Sequence, residues 1–147
     1  MTAASAGFSA EEKAAMKDRA AELKADARRG KAEEKAAADA ATMREKIEGM
    51  PQPDRGMAER LHEIVGGAAP DLLPKLFYGQ PAWTRDGKPV VFFRSGQQDK
   101  ERYSTLGFSS KANLDEPSGF WPTSYALTEL NDETATTIAR LVTRAAS

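Results

Sequence analysis

The dipeptide Asp86-Gly87 stands between two strand-like runs, Gln80 to Arg85 and Lys88 to Arg94. A two-residue type I′ hairpin needs positive φ at both turn positions, and Asp-Gly meets that need at low steric cost. The second run carries Val90, Val91, Phe92 and Phe93 in succession, the signature of a strand with one or both faces buried. An antiparallel pair is therefore fixed in the second half of the chain, and the segments around it must be compatible with one sheet.

The segments that follow meet this condition. Ser95 to Lys100 is polar and turns the chain. Glu101 to Phe108 reads as a strand, with Tyr103 and Thr105 on one face and Leu106 and Phe108 on the other. Ser109 to Gly119 is loop, with a helical turn near Lys111 to Leu114. Phe120 to Thr128 is a last strand or a pair of short strands, broken by Pro122. Asn131-Asp132-Glu133 opens a closing helix, with acids at its positive end and Ala135, Ile138, Leu141 and Val142 on its core face.

Upstream the pattern is helical. Phe8 to Glu12 reads as a helix start, with Ser9 capping the Glu12 N–H, and Gly30 reads as its stop. Ala32 to Glu48 is a second helix, with Ala36, Ala40, Met43 and Ile47 on one face. Most of the apolar positions before Gly30 are alanine, which favours helix but buries little area. Asp54 is the expected N-cap of a helix with Met57, Leu61, Ile64 and Val65 on its buried face. Pro70 to Phe77 is expected to form a further short helix. The organisation is thus a helical N-terminal extension over residues 1–50 and an α+β domain over 51–147, an antiparallel sheet packed by helices.

Composition narrows the function. Of the 147 residues, 40% are hydrophobic and 29% charged, and no apolar run approaches the ~20 residues that span a bilayer. The first seven residues lack the layout of a signal peptide. With no cysteine, thiolate metal sites, disulfides and cysteine nucleophiles are excluded. A cytoplasmic location is the simplest reading. Net charge is −1, and the balance is local: Glu11 to Glu48 holds ten basic and ten acidic residues, Pro70 to Ser147 nine of each. That evenness argues against a nucleic-acid partner, which would gather positive charge in one segment.

The stretch Tyr78-Gly79-Gln80-Pro81-Ala82-Trp83, with Ala69-Pro70 before it, Asp86-Gly87-Lys88 after it and the closing helix beyond Glu129, resembles the YdhG-like domain-of-unknown-function family. Some members are described as iron chaperones or frataxin-like proteins. The resemblance covers about Met57 to Ala146 and does not reach the extension. It implies a curved antiparallel sheet flanked by helices, and iron as a ligand, but no catalytic residues.

The residues themselves offer few reactive groups. His62 is the only histidine and has no motif to make it a base; it is expected to be structural or solvated. Neither a nucleophile elbow nor a phosphate-cradling loop is present. Glu129, Asp132 and Glu133, together with Asp115 and Glu116, are the carboxylates available to a hard metal such as iron, although capping accounts for Asp132 and Glu133 equally well. Trp83, Arg94, Tyr103 and Trp121 join apolar area to hydrogen-bond donors and are the candidates to line one concave surface of the sheet. The leading expectation is a small non-enzymatic binding or chaperone-like protein, using the open face of the sheet for a small ligand or a protein segment. A carboxylate-based iron carrier or metal-dependent enzyme is the alternative. A further one is an interaction module whose helical arm takes a partner or a second copy of the chain.

Overall fold

The computed structural model describes residues 9–147. It contains three helices and one five-stranded antiparallel sheet. In chain order these are α1 (Ala10–Glu48), α2 (Asp54–Ala68), β1 (Leu73–Phe77), β2 (Gln80–Arg85), β3 (Lys88–Arg94), β4 (Ser104–Phe108), β5 (Ser124–Leu127) and α3 (Asp132–Ala145). The α+β class holds. The chain divides into two compact units, one reaching Ala37 and the other Ala38–Ser147. No helix of the described residues is long and apolar enough to cross a membrane.

Helix α1 starts as its cap requires, with the Glu12 N–H donating to Ser9 Oγ at 3.1 Å; Phe8 lies outside the described residues. Gly30 does not stop it. Gly30 keeps helical φ, and its alanine, lysine and arginine neighbours are strong helix formers, so the loss of about 1 kcal/mol at one glycine is absorbed. The two predicted helices are therefore one. Up to Ala37 its side chains are almost all exposed, including Met16 and Leu23. Its last turns are different: Met43, Ile47 and then Met50 are buried in the core of the second unit. That unit thus begins before residue 51, because these three side chains fill space that the sheet and the later helices leave open.

The sheet is a plain meander, β1-β2-β3-β4-β5, every pair antiparallel. Asp86 and Gly87 have φ of 52° and 77°, the two positive values that a type I′ turn demands. A second tight turn, unanticipated, joins β1 to β2: Phe77 pairs with Gln80 around Tyr78 (φ 50°) and Gly79 (φ 75°). This turn makes Leu73–Phe77 a strand and not the expected short helix. A helix over Pro70–Phe77 would also have denied the Pro70 carbonyl its partner at Pro74, which has no N–H. On the outer strand of a sheet Pro74 costs little.

Strand register sorts the side chains. Trp83 pairs with Val91, Val91 with Phe108, and Phe93 with Leu106; these point to the helices and are buried. Leu61 and Val65 of α2 and Ile138 and Val142 of α3 complete this core. Ion pairs and hydrogen bonds lock the layer. Arg60 of α2 donates to the Leu130 carbonyl at 2.8 Å and to Asp132 at 2.6 Å, and Arg144 pairs with Glu116 at 2.7 Å. Asn131 caps α3 by accepting from the Thr134 N–H at 2.9 Å.

Candidate functional site

Within the second unit, the buried side chains of the helices meet one side of the sheet. The other side carries the alternate residues: Lys75 and Ala82, then Phe92, Gly107 and Ser124 along one row, with Arg94, Thr105 and Ala126 along the next. Two concavities are cut into this helix-free face.

The first, of about 470 Å³, is walled by Arg94, Glu101, Tyr103, Thr105, Ser124 and Ala126. Its rim is the β3–β4 loop, and that loop is built with care. Asp54, the first residue of α2, is 3% exposed, and its carboxylate accepts from Ser95 Oγ at 2.5 Å and from the Gln97 N–H at 3.1 Å. Asp54 was expected to cap its own helix; Pro53 occupies the cap position, with no side-chain hydrogen bond, and Asp54 ties down the loop instead. The Gly96 N–H donates to Ser104 Oγ at 2.9 Å, closing the loop base. No side chain fits at Gly96, since a Cβ there would lie 2.2 Å from the Tyr103 carbonyl oxygen. Arg94 donates from Nε to Asp99 at 2.5 Å, and this bond pushes its guanidinium pKa still higher. Arg102 stacks its guanidinium 4.9 Å from the centre of the Tyr103 ring. The result is a polar, charge-compensated notch on a pinned loop.

The second concavity, of about 390 Å³, is apolar and aromatic. Phe92 is its floor. The ring lies over Gly107, where a Cβ would come within 2.1 Å of the ring's Cζ. Phe77 and Tyr78 stand at one side, ring centroids 4.6 Å apart and edge to face. Tyr78 is 90% exposed on a backbone of positive φ that non-glycine residues seldom adopt. Lys88 and Lys111 stand at the rim.

Of the four sequence candidates, the structure brings Arg94 and Tyr103 together in the polar notch. It does not bring Trp83 there. Trp83 is 1% exposed on the opposite side of the sheet, and its indole N–H donates to His62 Nδ1 at 3.2 Å. The β2–β3 register shifts between Trp83 and Thr84, so Trp83 pairs with Val91 and not with Val90, and the shift turns its side chain to the face opposite Arg94. Trp121 precedes β5 and packs half-buried against the core, as a residue next to Pro122 that has left the ladder. His62 is a structural histidine. Burial, and secondarily Arg44, push its pKa below the ordinary 6.5 against a weaker opposing pull from Glu63, and the neutral ring is the form that accepts from Trp83.

The carboxylate candidates are scattered. Asp132 is bound to Arg60 and Glu116 to Arg144, while Glu129, Glu133 and Asp115 are exposed. Among the described residues no three His, Asp or Glu side chains converge in a way that could hold a metal ion. Sequence reasoning missed Phe77, Tyr78 and Lys111. The signal for the first two was Tyr78-Gly79 itself, an aromatic-glycine turn analogous to Asp86-Gly87. Lys111 reaches the face through a loop that no periodicity describes.

Comparison with known proteins finds no matching family model, no matching curated protein and no matching solved structure.

Proposed function

We propose that the chain is a non-enzymatic binding protein that holds its ligand, a small molecule or a protein segment, on the helix-free face of the sheet. One observation carries this reading: five strands leave a face without helices, and that face has two notches with aromatic walls and placed polar groups, beside a loop anchored by a buried carboxylate. Binding sites combine apolar walls with a few oriented polar groups, and rigid supports lower the ordering cost of association. An iron-carrier role, implied by the YdhG-like resemblance, has less behind it, since Asp132 and Glu116 are already matched with arginines.

The test is a fragment library screened by saturation-transfer NMR against the parent protein and a Thr105→Arg/Ala126→Arg variant. These residues pair across β4 and β5 on the notch wall, so long side chains there obstruct the face without touching the core. The reading expects binders that lose about tenfold or more in affinity in the variant, a loss of the size that a blocked contact surface produces, at unchanged melting temperature. Binders with equal affinity for the parent, for this variant and for Gly107→Val, which displaces the Phe92 ring of the other notch, would refute it.

A further inference from the structure

We infer that the aromatic corner of the helix-free face, between Phe77, Tyr78 and Phe92, is a site for a small aryl anion, a flat ring system bearing a carboxylate or phosphate. This deepens the reading above and rests on it. The corner differs from the neighbouring notch in its charge. Around Arg94 the cation is answered by Asp99, with Glu101 beside it. Lys88 and Lys111, and Lys75 on the same face, are matched with no carboxylate among the described residues. Two unmatched ammonium groups, Lys88 and Lys111, at the rim of one apolar depression are a local positive charge in a chain whose net charge is −1. An ammonium next to a low-dielectric wall gains more from an arriving anion than it would in open water.

The apolar part of the site selects a flat ligand. Phe92 presents a ring face, because Gly107 beneath it lets the ring lie down on the sheet. Tyr78 is held in left-handed backbone geometry with its ring in solvent, where Gly, Asn or Asp would be less strained. An aromatic ligand laid on Phe92 with its edge toward the Phe77–Tyr78 pair makes the offset or edge contacts that aromatic rings prefer. The volume, about 390 Å³, lies in the range of small-molecule sites. The corner is also fixed in place. Ser109 donates its N–H to the Val90 carbonyl at 3.1 Å, and the Asn113 N–H reaches the Ala145 carbonyl at 2.9 Å, so the loop that carries Lys111 is tied to β3 and to α3.

A free small molecule fits better than a nucleic-acid strand. A strand stacked on Phe92 and continuing across the sheet would carry its next phosphates toward Asp99 and Glu101. That arrangement repels them, whereas single-strand binders line the whole track with positive charge.

The experiment is an amide chemical-shift titration of the full chain with naphthalene-2-carboxylate and with the neutral naphthalene-2-carboxamide. Both should shift Gln80, Phe92, Gly107 and Lys111. The carboxylate should bind about fivefold more tightly, the gain of two partly exposed ion pairs. Lys88→Met/Lys111→Met should erase that preference and leave carboxamide binding unchanged. Gly107→Val, which drives the Phe92 ring off the sheet, should weaken both probes. Equal affinity for the two probes in the parent protein would overturn the inference while leaving the face as a binding surface. So would tighter binding of a short oligothymidylate than of the carboxylate at the same amides. Shifts confined to the Arg94–Tyr103 notch would likewise refute the aryl-anion site and support the broader reading, whereas no shift on either notch by any ligand would sink both.

Discussion

Asp54→Ala is the substitution whose consequence the structure specifies most fully. The carboxylate is 3% exposed, and it receives a hydroxyl from Ser95 and a backbone N–H from Gln97, on a loop 41 to 43 residues away in sequence. Hydrogen bonds to a charged group contribute about 1.5–3 kcal/mol each, and the Gln97 N–H would be left in a part-buried place without its acceptor. The favourable interaction of an acid with the start of α2 adds about 0.3–1 kcal/mol. Against these stands the desolvation of the carboxylate, which alanine avoids, and the better helix propensity of alanine. The net loss should be about 3 kcal/mol. With a urea m-value of about 2 kcal/mol/M, the midpoint should fall by about 1.5 M. Amide exchange gives a second, local readout. Gln97, Gln98 and Glu101 should lose protection well beyond the global change, because the Glu101 N–H is held at 2.7 Å to the Gly96 carbonyl only while the loop keeps its shape. A loss below about 0.5 kcal/mol, the size of an ordinary surface substitution, would refute the anchoring role. So would unchanged loop protection.

Three other expectations follow from the same contacts. Removal of the chain through Gly30 should change stability by no more than about 0.5 kcal/mol, whereas Met43→Ala, at a fully buried position on the same helix, should cost about 2–5 kcal/mol; urea denaturation of both variants checks the contrast, and loss of cooperative unfolding on truncation would contradict it. Gly87→Val places a β-branched residue at φ 77° and should destabilise the fold by about 1–3 kcal/mol although nothing crowds the position, so a change near zero in thermal denaturation would show that the turn relaxes freely. His62 has its folded-state pKa lowered, so its contribution is fully present above the unfolded value of 6.5 and is lost as pH falls through the folded value; stability measured between pH 7 and 5 should fall more steeply for the parent than for His62→Gln, and equal slopes would disprove the link.

Much of the second unit was legible in the chain. β2 and β3 were readable because Asp86-Gly87 marks the turn between them and the strands are long enough to show their composition. The closing helix was readable from its caps and apolar spacing. β1 was misread because Pro70 and Pro74 flank a short apolar run that suits a helix start as well as an outer strand, and the choice is made by the Tyr78-Gly79 turn downstream. Gly30 was misread because a lone glycine stops a helix only when the backbone takes positive φ there, which local composition does not dictate. At the site, Arg94 and Tyr103 came together while Trp83 did not, since alternation along a strand is visible but the register shift between Trp83 and Thr84 is not. The role of Asp54 was illegible for a related reason: its partners are distant in sequence, and a helix-start aspartate reads as a cap.

The helix-free face of the sheet is the surface proposed to bind the ligand. Its most direct test is an amide chemical-shift map of the assigned full chain with the tightest fragments from the screen. The largest shifts should fall on Phe92, Arg94, Thr105, Gly107, Ser124 and Ala126, with α2 and α3 nearly unmoved. Shifts concentrated on the helices, or along α1 before Ala37, with the face unchanged, would contradict it.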